Sequence, residues 1–397
     1  MFERFERSLL KEEYGEFGLP SPIEGNLNLK EVAKEKGDYL DLSILSEQTP
    51  PEPVRKAAAD SALEGGYIKN YLPLREVITQ FYKEKRNVDY DTEDEIFLTC
   101  GGQQALDGAF KLLVNPGDKV VMGEPEYAPN EPAVNFFGGT VETVPLSFND
   151  QKWGFDADAF REKVSPATKL VIITSPNNPA GYVYREEDIE TIADIVEEND
   201  CWLINDEIWA SLTTNRKVDF KSLAAVNRIK KQTVTIFSFS KTFGMSGYRI
   251  GAILGPSELI RAMNQVLRFT TMSVPTMSQI AACEALDFDK TGDWLNARIE
   301  RIMDRIDETV DRFKKYSKLK CARPESGVFL FPYIGDYGMS SLEFCKKLLK
   351  EKGVKVIPGY FYGKNSDGYV RISMSVPDDE FQEGMERFLQ FIEEQEN

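Results

Sequence analysis

One lysine stands out as a residue that could do covalent chemistry. Lys241 lies among small hydroxyl and glycine residues in the run SFSKTFGMSGYR, and Arg249 follows it eight positions later. A lysine amine can form a Schiff base with a carbonyl compound, and an arginine beside serine hydroxyl groups can bind a phosphate. The chain contains no histidine. Proton transfer near neutral pH must therefore come from a lysine, a carboxylate or a cofactor.

Two further polar residues could work with this lysine. Asn178 comes after the apolar run LVII, Asp206 after WLI, and Lys241 after VTIF. Taken singly, Asn178 could be a turn residue and Asp206 a helix cap. The apolar runs, however, are typical of strands that are covered on both faces of a sheet. Open parallel sheets bind ligands at the carboxyl ends of their strands, so we expect these side chains to converge there.

A glycine turn adds a candidate anion site. Gly101, Gly102 and Gln103 lie between a predicted strand and a predicted helix. Backbone N–H groups at the start of a helix bind anions, and glycine lets a ligand approach the backbone closely. The turn matches neither the P-loop nor the dinucleotide-binding fingerprint, so by itself it indicates only a tight turn.

Alternating strands and helices predict an α/β fold with a largely parallel sheet flanked by helices. Strands are predicted at residues 95–99, 119–122, 169–174, 201–204, 234–237 and 249–254. Helices are predicted between them, for example at residues 104–113 and 186–199.

After about residue 285 the pattern changes, with a long charged helix, short strands at 328–332, 354–357 and 369–373, and a terminal helix. This pattern indicates a smaller α+β domain. We predict an N-terminal arm with part of the small domain at 1–50, a large domain at 51–285 and a small C-terminal domain at 286–397.

Composition argues against several kinds of partner. The 397 residues carry a formal net charge of -17, which disfavours binding to nucleic acid or to an anionic membrane. The five cysteines form no CxxC pair, and with no histidine we expect no metal site. The charged N-terminus lacks the apolar core of a signal peptide, and no apolar run reaches the roughly 18 residues that span a bilayer. We therefore expect a cytoplasmic protein.

Seven segments together resemble the class I and II aminotransferases of the aspartate aminotransferase superfamily, which bind pyridoxal 5'-phosphate (PLP) in the fold type I architecture. They are TCGGQQAL at 99–106, NPGDKV at 115–120, EPEY at 124–127, SPNNPAG at 175–181, NDEIW at 205–209, SFSKTFGMSGYRIG at 238–251 and RIS at 371–373. The resemblance runs from about residue 40 to the C-terminus. It implies that the large domain binds PLP and that the enzyme transfers an amino group from an L-amino acid to a 2-oxo acid.

The resemblance also implies roles for individual residues around the cofactor. Lys241 would hold PLP as an aldimine and then carry a proton at the substrate's α-carbon. Asp206 would pair with the pyridine nitrogen, Asn178 would donate to the ring 3'-oxygen, and Tyr127 would stack on the ring. Arg371 would bind the α-carboxylate of the substrate in bidentate fashion.

The phosphate and the second subunit complete the implied site. The phosphate would lie at the turn of Gly101, Gly102 and Gln103, near Ser238, Ser240 and Arg249. The resemblance implies a homodimer with sites at the interface, and Tyr67 resembles the tyrosine that reaches the phosphate of the neighbouring subunit.

Three positions depart from the family pattern. Trp209 replaces a tyrosine three residues after the aspartate, and its indole N–H can donate a hydrogen bond but cannot accept a proton. Leu45 stands where a glycine above the substrate is usual. Gln103 replaces a lysine that, in one branch, binds the distal carboxylate of aspartate. Losing such a charge-assisted bond costs roughly 1.5–3 kcal/mol, so we expect a neutral or apolar amino donor.

Two alternatives remain beside the aminotransferase. A PLP-dependent carbon–sulfur β-lyase would use the same scaffold, and that branch also replaces the tyrosine after Asp-Glu-Ile. A non-catalytic, aminotransferase-like module would be expected to lack the lysine or to carry a DNA-binding domain, and this chain shows neither feature.

Overall fold

A computed structural model describes residues 29, 32–33, 35–46 and 49–396. Most of the arm predicted at 1–50 therefore lies outside the described residues. The strands are β1 (Leu40–Asp41), β2 (Ile96–Thr99), β3 (Lys119–Glu124), β4 (Thr140–Pro145), β5 (Ser147–Asn149), β6 (Lys152–Gly154), β7 (Thr168–Thr174), β8 (Trp202–Asp206), β9 (Thr233–Ser238), β10 (Gly251–Leu254), β11 (Phe329–Leu330), β12 (Val354–Lys355), β13 (Ile357–Pro358) and β14 (Val370–Ser373).

Helices separate most of these strands. The α-helices are α1 (Glu52–Glu64), α2 (Leu72–Arg86), α3 (Gly102–Leu113), α4 (Asn130–Phe136), α5 (Ala157–Lys163), α6 (Glu186–Glu198), α7 (Phe239–Thr242), α8 (Ser257–Arg268), α9 (Thr276–Ala285), α10 (Phe288–Phe313), α11 (Ser341–Lys352) and α12 (Asp378–Glu396). Among the described residues, no helix is long and apolar enough to cross a membrane.

The central sheet has seven strands in the order β2-β10-β9-β8-β7-β3-β4. Strand β10 is antiparallel to both of its neighbours, and the other neighbouring strands pair in parallel. The prediction of an α/β fold with a mostly parallel sheet is thus confirmed. The carboxyl ends of β7, β8 and β9 lie side by side as a result.

The alternation of side chains along β7 shows how the sheet is covered on both faces. Leu170 and Ile172 pack in one buried cluster, which includes residues of α3 and α8. Val171 and Ile173 pack in a second cluster, which includes residues of α6. Because successive side chains of a strand point to opposite faces, a continuous apolar run serves both layers.

The C-terminal part forms a separate small sheet. Strand β14 lies between β11 and β13 and is antiparallel to both. Strand β1, from near the N-terminus, pairs in parallel with β12, with Leu40 opposite Val354. The strand near the N-terminus is therefore part of the C-terminal region of the structure, and this pairing places residues 42–46 close to β14.

Strand bounds differ from the sequence prediction where side chains or backbone break the pattern. The strand predicted at 249–254 begins at Gly251, because Arg249 has a left-handed backbone with φ of 51°. The strand predicted at 354–357 is divided between β12 and β13, and the one predicted at 328–332 is only two residues long. Strand β4 was not predicted, since its side chains are mostly part-exposed at the sheet edge.

Candidate active site

The ends of three adjacent strands place the polar residues expected from the sequence. Asp206 is the last residue of β8, and its register partner on β7 is Thr174, the last residue of that strand. On the other side Asp206 is paired with Ile236 of β9, which ends two residues later at Ser238. Lys241 follows on α7. The parallel register therefore brings carboxylate and amine to the same edge of the sheet.

Lys241 has an environment that disfavours its charged form. Burial is the first cause that lowers the pKa of its amine, to about 8, and the positive charges of Arg371, Arg249 and Arg298 lower it further. The Lys241 Nζ atom lies 5.8 Å from the centre of the Trp209 ring. An amine with this pKa is partly neutral near pH 8, which nucleophilic attack and proton transfer both require.

The backbone around Lys241 is fixed by its neighbours. The Ser238 hydroxyl caps α7 by accepting a hydrogen bond from the Ser240 N–H at 3.2 Å. The Arg298 guanidinium donates to the carbonyl groups of Lys241 and Thr242. A guanidinium that binds two carbonyl groups holds the helix end in place and adds positive charge beside the amine.

Asp206 is a buried carboxyl group. Burial raises its pKa to about 7, the neighbouring Glu207 also raises it, and a hydrogen bond from the Ile208 N–H to Oδ1 lowers it. This hydrogen bond measures 3.0 Å. A cationic N–H bound to the carboxyl would favour its ionised form.

The start of α3 forms an uncapped anion site beside Arg249. No side chain caps the N-terminus of this helix, so its first N–H groups can meet a ligand. Gly101 has a φ of +80°, and a Cβ atom there would lie 2.7 Å from the Arg249 Nη2 atom. Arg249 is oriented by donating to the carbonyl groups of Ser246 at 2.8 Å and Cys100 at 3.2 Å.

Tyr127 is linked to the first turn of α3 by a hydrogen bond. Its hydroxyl group donates to the Gln103 Oε1 atom at 3.1 Å. Burial raises the pKa of Tyr127 to about 12, Asp206 raises it further, and Arg371 and Arg249 act in the opposite direction.

Asn178 is 5% exposed, and its Oδ1 atom has no hydrogen-bond partner among the described residues. A buried amide left in this way is typical of a site that binds a polar ligand.

Arg371 is a partly buried residue without a carboxylate partner among the described residues. Its Nη2 atom donates to the Ser43 carbonyl at 3.0 Å. Its Cζ atom lies 3.9 Å from the centre of the Phe329 ring and 5.3 Å from that of Tyr362. Burial lowers the pKa of Arg371, and a ligand carboxylate would offset this cost through charge-assisted hydrogen bonds.

The remaining predicted residues have different surroundings. Trp209 is buried and meets Phe329 edge-on, with ring centres 5.3 Å apart. Leu45 is partly buried and packs against the core beside Ser43. Tyr67 is 68% exposed and, within the described part of the chain, makes no hydrogen bond or ring contact with the other site residues, so a single subunit does not bring it into the site.

Sequence reasoning missed Arg298, which contacts the lysine segment directly. Leu295, Arg298 and Ile302 are all buried on α10, and their spacing of three and four residues places them on one face. An arginine within an apolar helical stripe was the signal that could have identified it. Tyr362 was also missed, because nothing in the local sequence connects it to Arg371.

Comparison with known proteins identifies the family. Residues 36–388 match the model of the family aminotransferase class I and II, so the chain belongs to this family of PLP-dependent enzymes. The aspartate aminotransferase of Pyrococcus abyssi is 30% identical over 373 residues, which cover 92% of this chain and 95% of that protein. The aromatic-amino-acid aminotransferase 2 of Thermococcus litoralis is 29% identical over 350 residues, covering 87% and 89%.

Solved structures agree with this assignment. The aromatic aminotransferase from Pyrococcus horikoshii OT3 superimposes with a TM-score of 0.85 at 29% identity and covers 93% of this chain and 99% of that chain. The protein is therefore an aminotransferase with the fold of that family.

The residues at the site fit PLP. The uncapped start of α3 with Arg249 matches a phosphate, and buried Asp206 matches a protonated ring nitrogen. The buried Asn178 carries an amide N–H group that can donate a hydrogen bond to a ring oxygen. Arg249 acts on the Lys241 amine, which is partly neutral near pH 8.

We expect Lys241 to react with amine-selective acylating reagents at lower pH than surface lysines in the cofactor-free protein. Burial and three arginines lower its pKa to about 8, so its neutral fraction rises as the pH passes through that value. Mass spectrometry of the modified protein across pH would measure the midpoint. Lys320 is the control, since its hydrogen bond with Asp336 raises its pKa. Equal midpoints at the two lysines would contradict the expectation.

Proposed function

We propose that the chain binds PLP at this site, with the amine of Lys241 as its covalent anchor. The observation that carries the proposal is that an amine of lowered pKa, the buried Asp206, the uncapped start of α3 and Arg249 all lie at the same edge of the central sheet. When bound, PLP supplies a ring that withdraws electrons from the substrate's α-carbon.

The side chains have separate tasks in this proposal. Asp206 keeps a proton on the ring nitrogen, and Asn178 donates to the ring oxygen through its amide. Tyr127 covers the ring face. The phosphate is bound by the N–H groups of Gly102 and Gln103, by Arg249, and by the hydroxyl groups of Ser238 and Ser240.

Lys241 then acts on the substrate. Its amine, partly neutral near pH 8, would take the proton from the substrate's α-carbon. No histidine is present to share this task. Arg371 holds the substrate's α-carboxylate, and the Phe329 ring beneath its guanidinium keeps the planar group in one orientation.

A neutral or apolar L-amino acid fits the side-chain region best. Gln103 carries no charge, and its Oε1 atom accepts the Tyr127 hydroxyl at 3.1 Å. Leu45 is an apolar residue in the same loop as Ser43, whose carbonyl accepts a hydrogen bond from Arg371. The amino acceptor is a 2-oxo acid.

A carbon–sulfur β-lyase is the second candidate for the same site. Trp209 is the observation that favours it, because an indole replaces the phenol that aminotransferases of this family usually carry at this position. The indole N–H donates a hydrogen bond but cannot take up a proton.

We also infer that the protein is a homodimer. Five large apolar side chains are exposed on segments 63–67 and 269–277: Leu63 88%, Tyr67 68%, Phe269 89%, Met272 67% and Met277 45%. Hydrogen bonds between Ile68 and both Thr276 and Ser273 hold these segments together. Exposed apolar patches mark interaction sites, and a second copy on this patch would bury Tyr67 near a neighbouring phosphate.

The domain division and the location are part of the same proposal. Segment 51–285 would be the PLP-binding domain and 286–397 the small domain, to which part of 1–50 contributes. The pairing of β1 with β12 supports this division. We propose a cytoplasmic enzyme.

Replacement of Lys241 by alanine should remove the visible absorbance of the PLP-loaded protein. The reason is that no other amine would then hold the cofactor covalently at this site. Absorbance spectra of the wild type, Lys241→Ala and the exposed control Lys320→Ala would test this. An unchanged spectrum in Lys241→Ala would overturn the cofactor assignment.

The same spectra separate the two reactions. An aminotransferase should change its absorbance with an amino acid alone and recover it with a 2-oxo acid. Release of pyruvate and ammonia from sulfur amino acids, with no oxo acid present, would establish the lyase instead.

Replacement of Gln103 by lysine should shift the substrate preference towards dicarboxylic amino acids. A charge-assisted hydrogen bond to the distal carboxylate contributes roughly 1.5–3 kcal/mol, so the ratio of kcat/KM for aspartate over a neutral amino acid should rise about 10- to 100-fold. Gln103→Glu is the matched control and should lower the ratio. A ratio that is equal in the two variants would show that Gln103 does not face the substrate side chain.

Replacement of Phe269 by aspartate should weaken the dimer. The change places a charge in the exposed apolar patch, and burying an unpaired charge is costly. Light scattering at several protein concentrations measures the mass. Phe136→Asp, at a residue 67% exposed on α4, is the control. A monomeric wild type, or dissociation in the control only, would contradict the proposed interface.

A further inference from the structure

A second buried carboxyl group lies beside Asp206. Glu126 is 5% exposed and comes just before Tyr127. Its Oε1 atom accepts three hydrogen bonds, from the Thr174 hydroxyl, from the Tyr127 N–H at 2.7 Å and from the Asn130 side-chain amide at 3.2 Å. Three donors thus fix a single oxygen of this carboxyl group.

The location of Glu126 connects it to Asp206. Thr174, which donates to Glu126, is the register partner of Asp206 across β7 and β8. The negative charge of Asp206 acts on Glu126 directly. Two ionised carboxylates in this buried region would repel each other, so one of them is favoured in its neutral form.

Asn130 indicates which carboxyl group is neutral. This residue is 1% exposed, and its Oδ1 atom has no partner among the described residues. An ionised Glu126 accepts hydrogen bonds only and leaves this oxygen unpaired, whereas a protonated Glu126 has an O–H donor. A carboxylic acid and a primary amide have complementary donors and acceptors, and Asn130 already donates to Glu126.

We propose that Glu126 is a positioning residue, held as a neutral carboxylic acid paired with the Asn130 amide, so that of these two carboxyl groups Asp206 is the one that presents a negative charge to the cofactor ring. This assignment rests on the proposed role of Asp206. A neutral Glu126 fixes Thr174 and the Tyr127 backbone without competing for the ring proton.

The surroundings support the neutral form. Burial is the largest cause that raises the pKa of Glu126, to about 8, and Asp206 adds to it, while the hydrogen bonds from Thr174, Tyr127 and Asn130 act in the opposite direction. The groups that face Glu126 are Asp206 on β8, Tyr127 beside it and Tyr184 after β7. Glu131 on α4, Lys364 and Asp367 line the same cavity of about 520 Å³ as Glu126.

Replacement of Glu126 by glutamine separates the neutral state from the ionised state. Glutamine imitates a protonated glutamate, since it offers one acceptor and an N–H donor. Below the ordinary pKa of a glutamate the folded and unfolded states both bind the proton, and the stabilising effect is lost as the pH rises through about 8. Between these values the unfolded chain is ionised while the folded chain still holds the proton, so we expect Glu126→Gln to equal the wild type in Tm near pH 4 and to exceed it near pH 9, with a difference that grows as the pH rises to about 8.

An exposed glutamate provides the control for this Tm measurement. Glu162→Gln, at an exposed residue of α5, should follow the wild type at both pH values. A Tm of Glu126→Gln below that of the wild type near pH 7 and near pH 9 would show that Glu126 is ionised in the native protein. That result would overturn the proposal.

Infrared difference spectra of the cofactor-free protein test the charge directly. The wild type minus Glu126→Gln should show the carbonyl band of a protonated carboxyl group near neutral pH, and this band should disappear as the pH passes through about 8. A band that belongs to an ionised carboxylate at neutral pH would overturn the proposal.

A second difference spectrum tests the link to Asp206. In an Asp206→Asn background the loss of the neighbouring negative charge should move the Glu126 midpoint to lower pH. An unmoved midpoint would show that Glu126 does not sense Asp206. Both spectra are recorded without PLP, so failure here is distinct from failure of the cofactor assignment, which the visible absorbance of Lys241→Ala decides.

Discussion

Lys241 and Asp206 would both be charged in water, and the fold places them where water is largely excluded, at the ends of β9 and β8. Burial is the largest single cause in each: the pKa of the amine falls to about 8 and that of the carboxyl group rises to about 7. A pKa change of this size corresponds to roughly 3–4 kcal/mol between the two protonation states. Both groups can therefore exchange protons near neutral pH.

This shared burial depends on the layers that cover the sheet. Side chains of β7 pack on α3 from one face and on α6 from the other, so the strand ends form one continuous edge. The three arginines that act on Lys241 approach this edge from different elements. Arg249 precedes β10, Arg298 lies on α10 and Arg371 on β14. Their combined charge favours the neutral form of the amine, and two of them, Arg249 and Arg371, are the proposed sites for ligand anions.

The sequence predicts a site residue where the segment just before it in the chain has a recognisable pattern. Asn178, Asp206 and Lys241 were predicted because each follows an apolar strand, and parallel pairing alone brings strand ends together. Arg298 and Tyr362 could not be placed in the same way, since they reach the site through packing between elements far apart in the chain. The short strands β11, β12 and β13 have two residues each, which is too short for a pattern to fix their bounds.

The surroundings of Glu126 also could not be predicted from the neighbouring sequence. In the motif EPEY the family resemblance gives a role to Tyr127 and none to the glutamate before it. Its burial arises because Thr174 and Asn130 approach from β7 and α4. No pattern in the local sequence predicts that three donors meet on one oxygen.

Phe329 connects the two halves of the site physically. One side of its ring meets Trp209 edge-on, with centres 5.3 Å apart, and the guanidinium of Arg371 lies 3.9 Å from its centre. Trp209 is also the aromatic neighbour of the Lys241 amine. The residue that departs from the family pattern therefore lies against both the amine and the ring that packs on Arg371. If these residues have the proposed roles, an indole at this position would affect cofactor chemistry and substrate orientation together, because the same packed ring transmits any shift from one to the other.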